Sequence, residues 1–423
     1  MRLPEPPDDP SRKPVTILGA GIVGICTALS LLDRGIPVRI IDQGSPGQET
    51  SMGNAGVVSP WSFIPQAMPG VWKNIPKLLF GYGRPLSIHP RALAAMLPWG
   101  LRFLRQGTEA KVRATADAMS HLCGPSIELY RRHLAGTDHE DLLVDSCYVH
   151  AFRDGSRANL QSLDCRIRSE KGAELELIGQ DRLAEMEPAL SPSFQAAVII
   201  HGQARVRSPG RLAAVLAKKA EQQGAEFVRA QIRSIKPHDD GWRILCDGER
   251  LYAPRLVLSM GAWSPELLAQ IGLKVPMMVE RGYHVECSEP NIEICNSVMD
   301  VDTKVVASSM EGGVRVAGQA EFAPADAPAN PARETRLTQI AKAAFPNLNT
   351  ERKKFWMGRR PSFPDSLPVL GPVTGHPSLF LNFGHSHYGL IMAPKSGELI
   401  AQLIRGETPN VPVDAFSATR FHW

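Results

Sequence analysis

VTILGAGIVGICTALSLLDRGIPVRIID, residues 15–42, is the stretch whose reading decides the fold. The apolar, largely β-branched run Val15 to Leu18 fits a strand and stops at Gly19. Gly21 and Gly24 follow in G-x-G-x-x-G spacing, and an apolar helix then runs on to Gly35. A second strand, Val38 to Ile41, ends on Asp42. Each glycine answers a physical demand: Gly19 permits a tight turn, Gly21 lets a phosphate approach the backbone, and Gly24 lets helix and strand pack closely. Free amides and the dipole at the helix start favour an anionic pyrophosphate. Asp42, eighteen residues past Gly24, is placed to accept hydrogen bonds from an adenosine ribose. Together these parts predict a dinucleotide-binding α/β unit of Rossmann type.

The 423 residues suggest a second domain beside it. A hydrophobic content of 43% fits an ordinary globular chain, and a net charge of +4 gives no argument for nucleic acid. Seven cysteines without CxxC or metal-type spacing fit buried thiols in a reducing cytoplasm. No apolar run reaches the length of a bilayer span. The start, MRLPEPPDDPSRKP, is proline-rich with an acidic stretch, unlike a secretory leader, and reads as a disordered tail.

Residues 60–113 stand apart. Eight basic side chains (Lys73, Lys77, Arg84, Arg91, Arg102, Arg105, Lys111, Arg113) face one acid, Glu109, with seven aromatics among them. That mixture fits helices of a substrate domain with a solvated basic face first, and is also compatible with peripheral contact with an anionic membrane surface. Farther on, 115–140 looks helical, and 143–178 alternates apolar runs and polar turns like an antiparallel sheet. Ala196 to Ile200 reads as a strand returning to the first domain, followed by a helix from Ser208-Pro209 to Gly224. Strands are expected at 231–236 and 242–246, at Arg255 to Met260, and through 276–322; residues 323–335, opening APADAPANPARE, read as a Pro/Ala loop. The chain closes with a strand LFLNF, a Gly-rich GHSHYG and a helix. Strand, glycine loop and helix thus occur near both ends, so two helix N-termini can address one extended cofactor.

Three features favour FAD over NAD: the far-downstream strand RLVLSMGAWS, the Gly-rich loop ETSMGNAG directly after the second strand, and GHSHYGLIMAPKSG at the C-terminus. In order, GAGIVG…D, ETSMGNAGVVSP, VLSMGAWS, GRRPSFPDSLPVLG and NFGHSHYGLIMAPKSG resemble the D-amino-acid oxidase (DAO) superfamily of flavoproteins, and most closely its D-amino-acid dehydrogenase group. The HYGLIMAP segment is also similar to glycine oxidase-like enzymes. The resemblance covers residues 14 to 410. It implies a glutathione-reductase-type FAD domain assembled from 14–62, 196–275 and 356–423, with an antiparallel-sheet substrate domain from 63–195 and 276–355. Expected cofactor contacts are Gly19, Ala20, Gly21, Ile22, Val23 and Gly24; Asp42 and Gln43; Thr50, Ser51, Asn54, Ala55, Gly56 and Val57; Ile232, Gly261 and Trp263; and Gly384, His385, Ser386, His387, Tyr388, Gly389 and Leu390.

The same resemblance assigns the arginine of the G-x-R-P motif to the substrate carboxylate. Here the motif is Gly358-Arg359-Arg360-Pro361, and Arg360 is the aligned residue, although Arg359 leaves open which guanidinium points inward. The implied chemistry removes a hydride from Cα of an amino or imino acid to the flavin, and the imine then hydrolyses to a 2-oxo acid. His387 is a candidate to accept a hydrogen bond or proton from the amine; Tyr283 and Tyr388 are candidate pocket residues. No cysteine follows GRRP, so the FAD is expected to be non-covalent. The expected electron acceptor is a respiratory quinone or another carrier, with an oxygen-using, peroxide-producing oxidase as the alternative. The location expected is the cytoplasm, with 60–113 available to the inner face of its membrane.

Overall fold

In the computed structural model, residues 13–324 and 326–421 are described. The tail expected at the N-terminus lies, through residue 12, outside them. One sheet has six strands in the order Val369–Val373, His376–Phe383, Arg255–Leu258, Val15–Leu18, Val38–Asp42 and Glu226–Arg229. Neighbours run parallel except the outermost pair, Val369–Val373 with His376–Phe383. The largely apolar runs VTIL and RLVL suit a parallel sheet covered on both faces.

Helix Ile22–Leu32 packs against helix Gly389–Arg405, so the first and last motifs of the chain meet over the central strands. Glycines set how closely. A Cβ on Gly24 would collide with the Gly19 carbonyl oxygen, and one on Gly397 would lie 2.7 Å from the Thr27 nitrogen. An antiparallel meander, Ile232–His238, Gly241–Cys246 and Glu249–Ala253, lies beside this layer.

The second, larger sheet has ten strands among the described residues. Its path is Lys353–Ser362, Met278–Cys287, Gly313–Phe322, Val305–Met310, Ser297–Asp300, Leu143–Phe152, Ala196–Val206 and Val57–Val58; Leu86–Ile88 pairs with Gly313–Phe322, and Leu175–Gly179 with Ala196–Val206. Helix Ala332–Ala344 covers part of it, with Leu337, Ile340, Ala341 and Ala344 buried in its core.

Several expectations change here. Ala196–Val206 pairs antiparallel with Leu143–Phe152 and so lies in the ten-stranded sheet, not beside the dinucleotide strands. Its apolar run says that both faces are buried but not which sheet supplies the partner. Val57–Val58 and Lys353–Ser362 join the same sheet, moving three edges of the segments read from sequence. Within 143–178 a helix, Leu163–Glu170, interrupts the strands; Ser162 occupies its N-cap and Asp164 pairs with Arg168 one turn on. The Pro/Ala loop ends sooner than read, because helix Ala332–Ala344 starts directly after Pro331.

Candidate active site

A single cavity of about 1140 Å³ runs between the two sheets. One end is built by the first motif. Gly19 turns the chain at φ +104°, where a Cβ would also sit 2.6 Å from the Ser259 carbonyl oxygen. The helix that follows has no side-chain cap at Gly21; instead Ser51 Oγ accepts the Ile22 amide at 3.0 Å. Asp42 uses one oxygen for the Ala20 amide (2.7 Å) and the other for the Gly44 amide (2.8 Å), so it shapes the turn as well as facing the cavity. The loop 49–56 is held from the ten-stranded sheet: Arg315 Nη1 donates to the Met52 and Asn54 carbonyls, at 2.9 and 2.7 Å, while Glu286 accepts from the same guanidinium. Thr50 Oγ1 donates to the Arg359 carbonyl at 2.9 Å.

The other helix start arrives from the C-terminal segment. Gly384 takes φ +88° and Ser386 φ +50°, and helix Gly389–Arg405 then begins at the cavity wall. Pro394 inside this helix cannot donate to the Leu390 carbonyl, and Tyr130 Oη fills that place at 2.6 Å. His385 and His387 turn to different partners. His385 is buried, with Nε2 3.2 Å from Ser396 Oγ and its pKa pushed down to about 3 by burial. His387 opens onto the cavity, and the surrounding protein pushes its pKa down to about 4, with Glu280 opposing and Arg360 adding to the shift. Gln66 Nε2 donates to His387 Nδ1 at 2.9 Å, which places the proton of the neutral ring on Nε2.

Between these two loops stands Arg360, directly across the strand pair from Glu280. Arg360 Nη1 donates to Glu280 Oε1 at 2.7 Å and to the Gln319 carbonyl at 3.1 Å. The guanidinium lies flat on Gly282, where any Cβ would strike it. Its Nε and Nη2 meet no hydrogen-bond partner among the described residues, and Arg360 lines the cavity. Burial alone would raise the Glu280 carboxyl; Arg360 first, then His387 and the hydrogen bond from Ser362 Oγ (3.1 Å), reverse that and hold it below the usual range. The site therefore carries an ionised acid beside its arginine. Arg359, on the other side of the strand, lies over the Trp263 ring at 5.8 Å.

Of the residues expected from sequence, all but Ala20, Gly24 and Gly56 line the cavity. Those three shape it from behind: Ala20 through its bond to Asp42, Gly24 through its approach to Gly19, and Gly56 at φ +82° against the Val206 carbonyl. Tyr283 and Tyr388 line the cavity with hydroxyls committed elsewhere. Tyr283 donates to Glu321, and burial with that carboxylate pushes its pKa up to about 12; Tyr388 donates to the Ile64 carbonyl at 2.8 Å. Neither hydroxyl is free for a ligand in this arrangement. Glu280, Gln66, Gly282 and Arg315 were not found by the motif reading. The one available signal was the adjacent charged pair Glu280-Arg281 following the apolar Met278-Val279 in its strand.

The residues fit an extended dinucleotide. Two helix starts open on one cavity, Gly261 leaves space where a Cβ would stand, and Ser259 Oγ and Asn382 Oδ1 are buried at its wall without hydrogen-bond partners. A family model described as DAO, FAD dependent oxidoreductase, matches residues 14–403. The D-amino-acid oxidase of Bradyrhizobium diazoefficiens is 35% identical over 421 residues, 97% of this chain and 100% of that protein. Among solved structures, glycine oxidase from Geobacillus kaustophilus superposes with a TM-score of 0.74 at 22% identity, covering 97% of this chain and 99% of its own. L-proline dehydrogenase from P. horikoshii gives 0.74 at 19%, covering 98% of both. At these identities the superpositions speak for the fold.

Proposed function

The chain belongs to the DAO family of FAD-dependent oxidoreductases, and we propose that it oxidises the Cα–N bond of D-amino acids, or of related imino acids, to give 2-oxo acids. The observation that carries this reading is that Arg360 lines the same cavity as both helix starts, with Nε and Nη2 unpartnered among the described residues. When bound, FAD supplies the hydride acceptor. The chain supplies position. Arg360 clamps the substrate carboxylate through two parallel N–H donors, which fixes Cα, and the face offered by the cavity decides chirality. His387 orients the amine. Taking its proton at Nε2 requires the ring to move its own proton to Nδ1, with Gln66 turning its carbonyl oxygen to receive it. The imine leaves for water, where it hydrolyses.

Arg360→Ala tests the role: kcat/KM should fall by about a hundredfold or more, the loss of one paired, charge-assisted contact, with flavin retained. Unchanged kinetics would remove Arg360 from the site. For the acceptor we propose a respiratory quinone or another carrier, met at the inner face of the cytoplasmic membrane through 60–113. Among the described residues no helix is long and apolar enough to cross a membrane. Turnover coupled to dye or quinone with little peroxide supports the dehydrogenase reading; peroxide formed in proportion to substrate selects the oxidase alternative instead.

A further inference from the structure

Two helices lie over one arm of the cavity, and each carries apolar side chains on both faces. Helix Val71–Phe80 has no buried residue; Val71, Ile75 and Leu78 look into the cavity while Trp72 and Phe80 face outward. In helix Leu93–Leu104, Met96, Trp99, Gly100, Phe103 and Leu104 line the cavity, and Leu93, Leu97 and Leu101 form a stripe on the opposite face. Trp72, Phe80, Tyr82, Leu93, Leu97 and Leu101 are each more than half exposed. Outside this segment, Leu177, at 46%, is the one other exposed large apolar side chain among the described residues. Lys73, Arg84, Arg91, Arg102 and Arg105 lie in the same segment, Lys77 pairs with Asp302 at the cavity (3.6 Å), and no acid occurs between Glu49 and Glu109.

A helix with two apolar faces needs two apolar neighbours. The inner face has the cavity. For the outer face, clustered cations around an apolar stripe match an anionic lipid surface, where leucine and tryptophan enter the acyl boundary and lysine and arginine reach the headgroups. The inner arm also touches the reaction site: Trp99 Nε1 donates to the Ser362 carbonyl at 3.2 Å, and Ser362 Oγ binds Glu280. Trp99 stacks on Phe103 at 5.3 Å and packs against Phe322, an aromatic wall leading from that point.

We propose that the outer faces of helices Val71–Phe80 and Leu93–Leu104 rest on an anionic bilayer, and that the cavity arm beneath them admits a lipid-borne quinone to the reaction site. The proposal rests on the carrier-linked reading above. Oxidation of the donor releases two electrons and two protons, and a quinone takes up two of each to become the quinol.

The test uses the FAD-loaded full chain and vesicles of phosphatidylcholine and phosphatidylglycerol in about a three-to-one ratio. The wild type should sediment with these vesicles and be released by salt; Leu97→Glu with Leu101→Glu should reduce sedimentation about tenfold or more, whereas Leu177→Glu should not. No sedimentation of the wild type overturns the docking face, as does lipid-free self-association that the double variant abolishes. Gly100 probes the arm, because a Cβ there meets nothing within 4 Å. Gly100→Leu should lower turnover with a long-tailed quinone in vesicles about tenfold relative to turnover with a water-soluble dye. An unchanged ratio, or a rise in substrate KM with both acceptors, overturns the passage and gives the arm to the substrate side chain. A wild type that binds vesicles yet reduces no quinone defeats the carrier reading and the passage together, and leaves docking standing.

Discussion

Arg360 divides its guanidinium between two tasks. Nη1 is held by Glu280 and the Gln319 carbonyl, while the other edge is left for a ligand. Glu280 also sets the charge that ligand meets, because an ionised carboxylate beside the arginine favours a zwitterion over a simple anion. Glu280→Gln keeps the acceptor oxygen and removes the charge, so simple carboxylates should bind about tenfold tighter while amino acids bind more weakly. Competitive inhibition constants for both classes check this, and a parallel loss of both would reduce Glu280 to a prop for Arg360. At this scale the sequence was readable where one residue type serves a backbone need or a motif, as with Gly19, Gly24, Asp42 and Arg360. Glu280, Gly282 and Gln66 act through neighbours 80, 78 and 321 positions away, and no local pattern reports such pairings.

The two helices that open on the cavity are locked at one crossing. Gly397 sits where a Cβ would lie 2.7 Å from the Thr27 amide nitrogen, and Asn382 Nδ2 donates to Thr27 Oγ1 at 2.9 Å on the same helix. Gly397→Val should therefore separate the helices, cost about 1–3 kcal/mol of stability and lower flavin content. Thermal melting and the flavin-to-protein ratio measure both; an unchanged Tm with full flavin would show that the crossing tolerates the added volume. Elements with strong local punctuation were legible, including both strand–glycine–helix units and the turn at Asp247-Gly248, whose residues take φ +41° and +93°. Strand Ala196–Val206 was recognisable as a strand but not as a member of the larger sheet, because its longest pairing, with Leu143–Phe152, joins residues more than 40 positions apart.

The whole molecule places a dinucleotide-binding sheet and a ten-stranded sheet on either side of one cavity, and buries several bases in doing so. His133, His150, His284 and His385 are buried, and desolvation holds each near a pKa of about 3, against an ordinary value of 6.5. The unfolded chain therefore binds more protons between those values. The stability these neutral rings contribute is fully present above pH 6.5 and drains away as pH falls toward 3, on the order of 1 kcal/mol or more per ring by about pH 5. Tm should fall on acidification through this window; a flat profile down to about pH 5 would mean that the rings titrate normally. The overall class, one α/β dinucleotide-binding layer with an antiparallel-rich partner, was legible from motif order. The boundaries were not, since an apolar strand such as Ala196–Val206 fits either sheet by its pattern alone.

The central claim is that a flavin bound across both helix starts faces a substrate anchored by Arg360. Anaerobic addition of D-amino acids, glycine, sarcosine and D-proline derivatives to the FAD-loaded protein tests it most directly. Bleaching of the flavin absorbance by at least one of these, slowed strongly in Arg360→Ala with the same flavin content, is the result expected. A flavin that stays oxidised with every amino and imino acid offered, or that bleaches equally fast without the arginine, would contradict it.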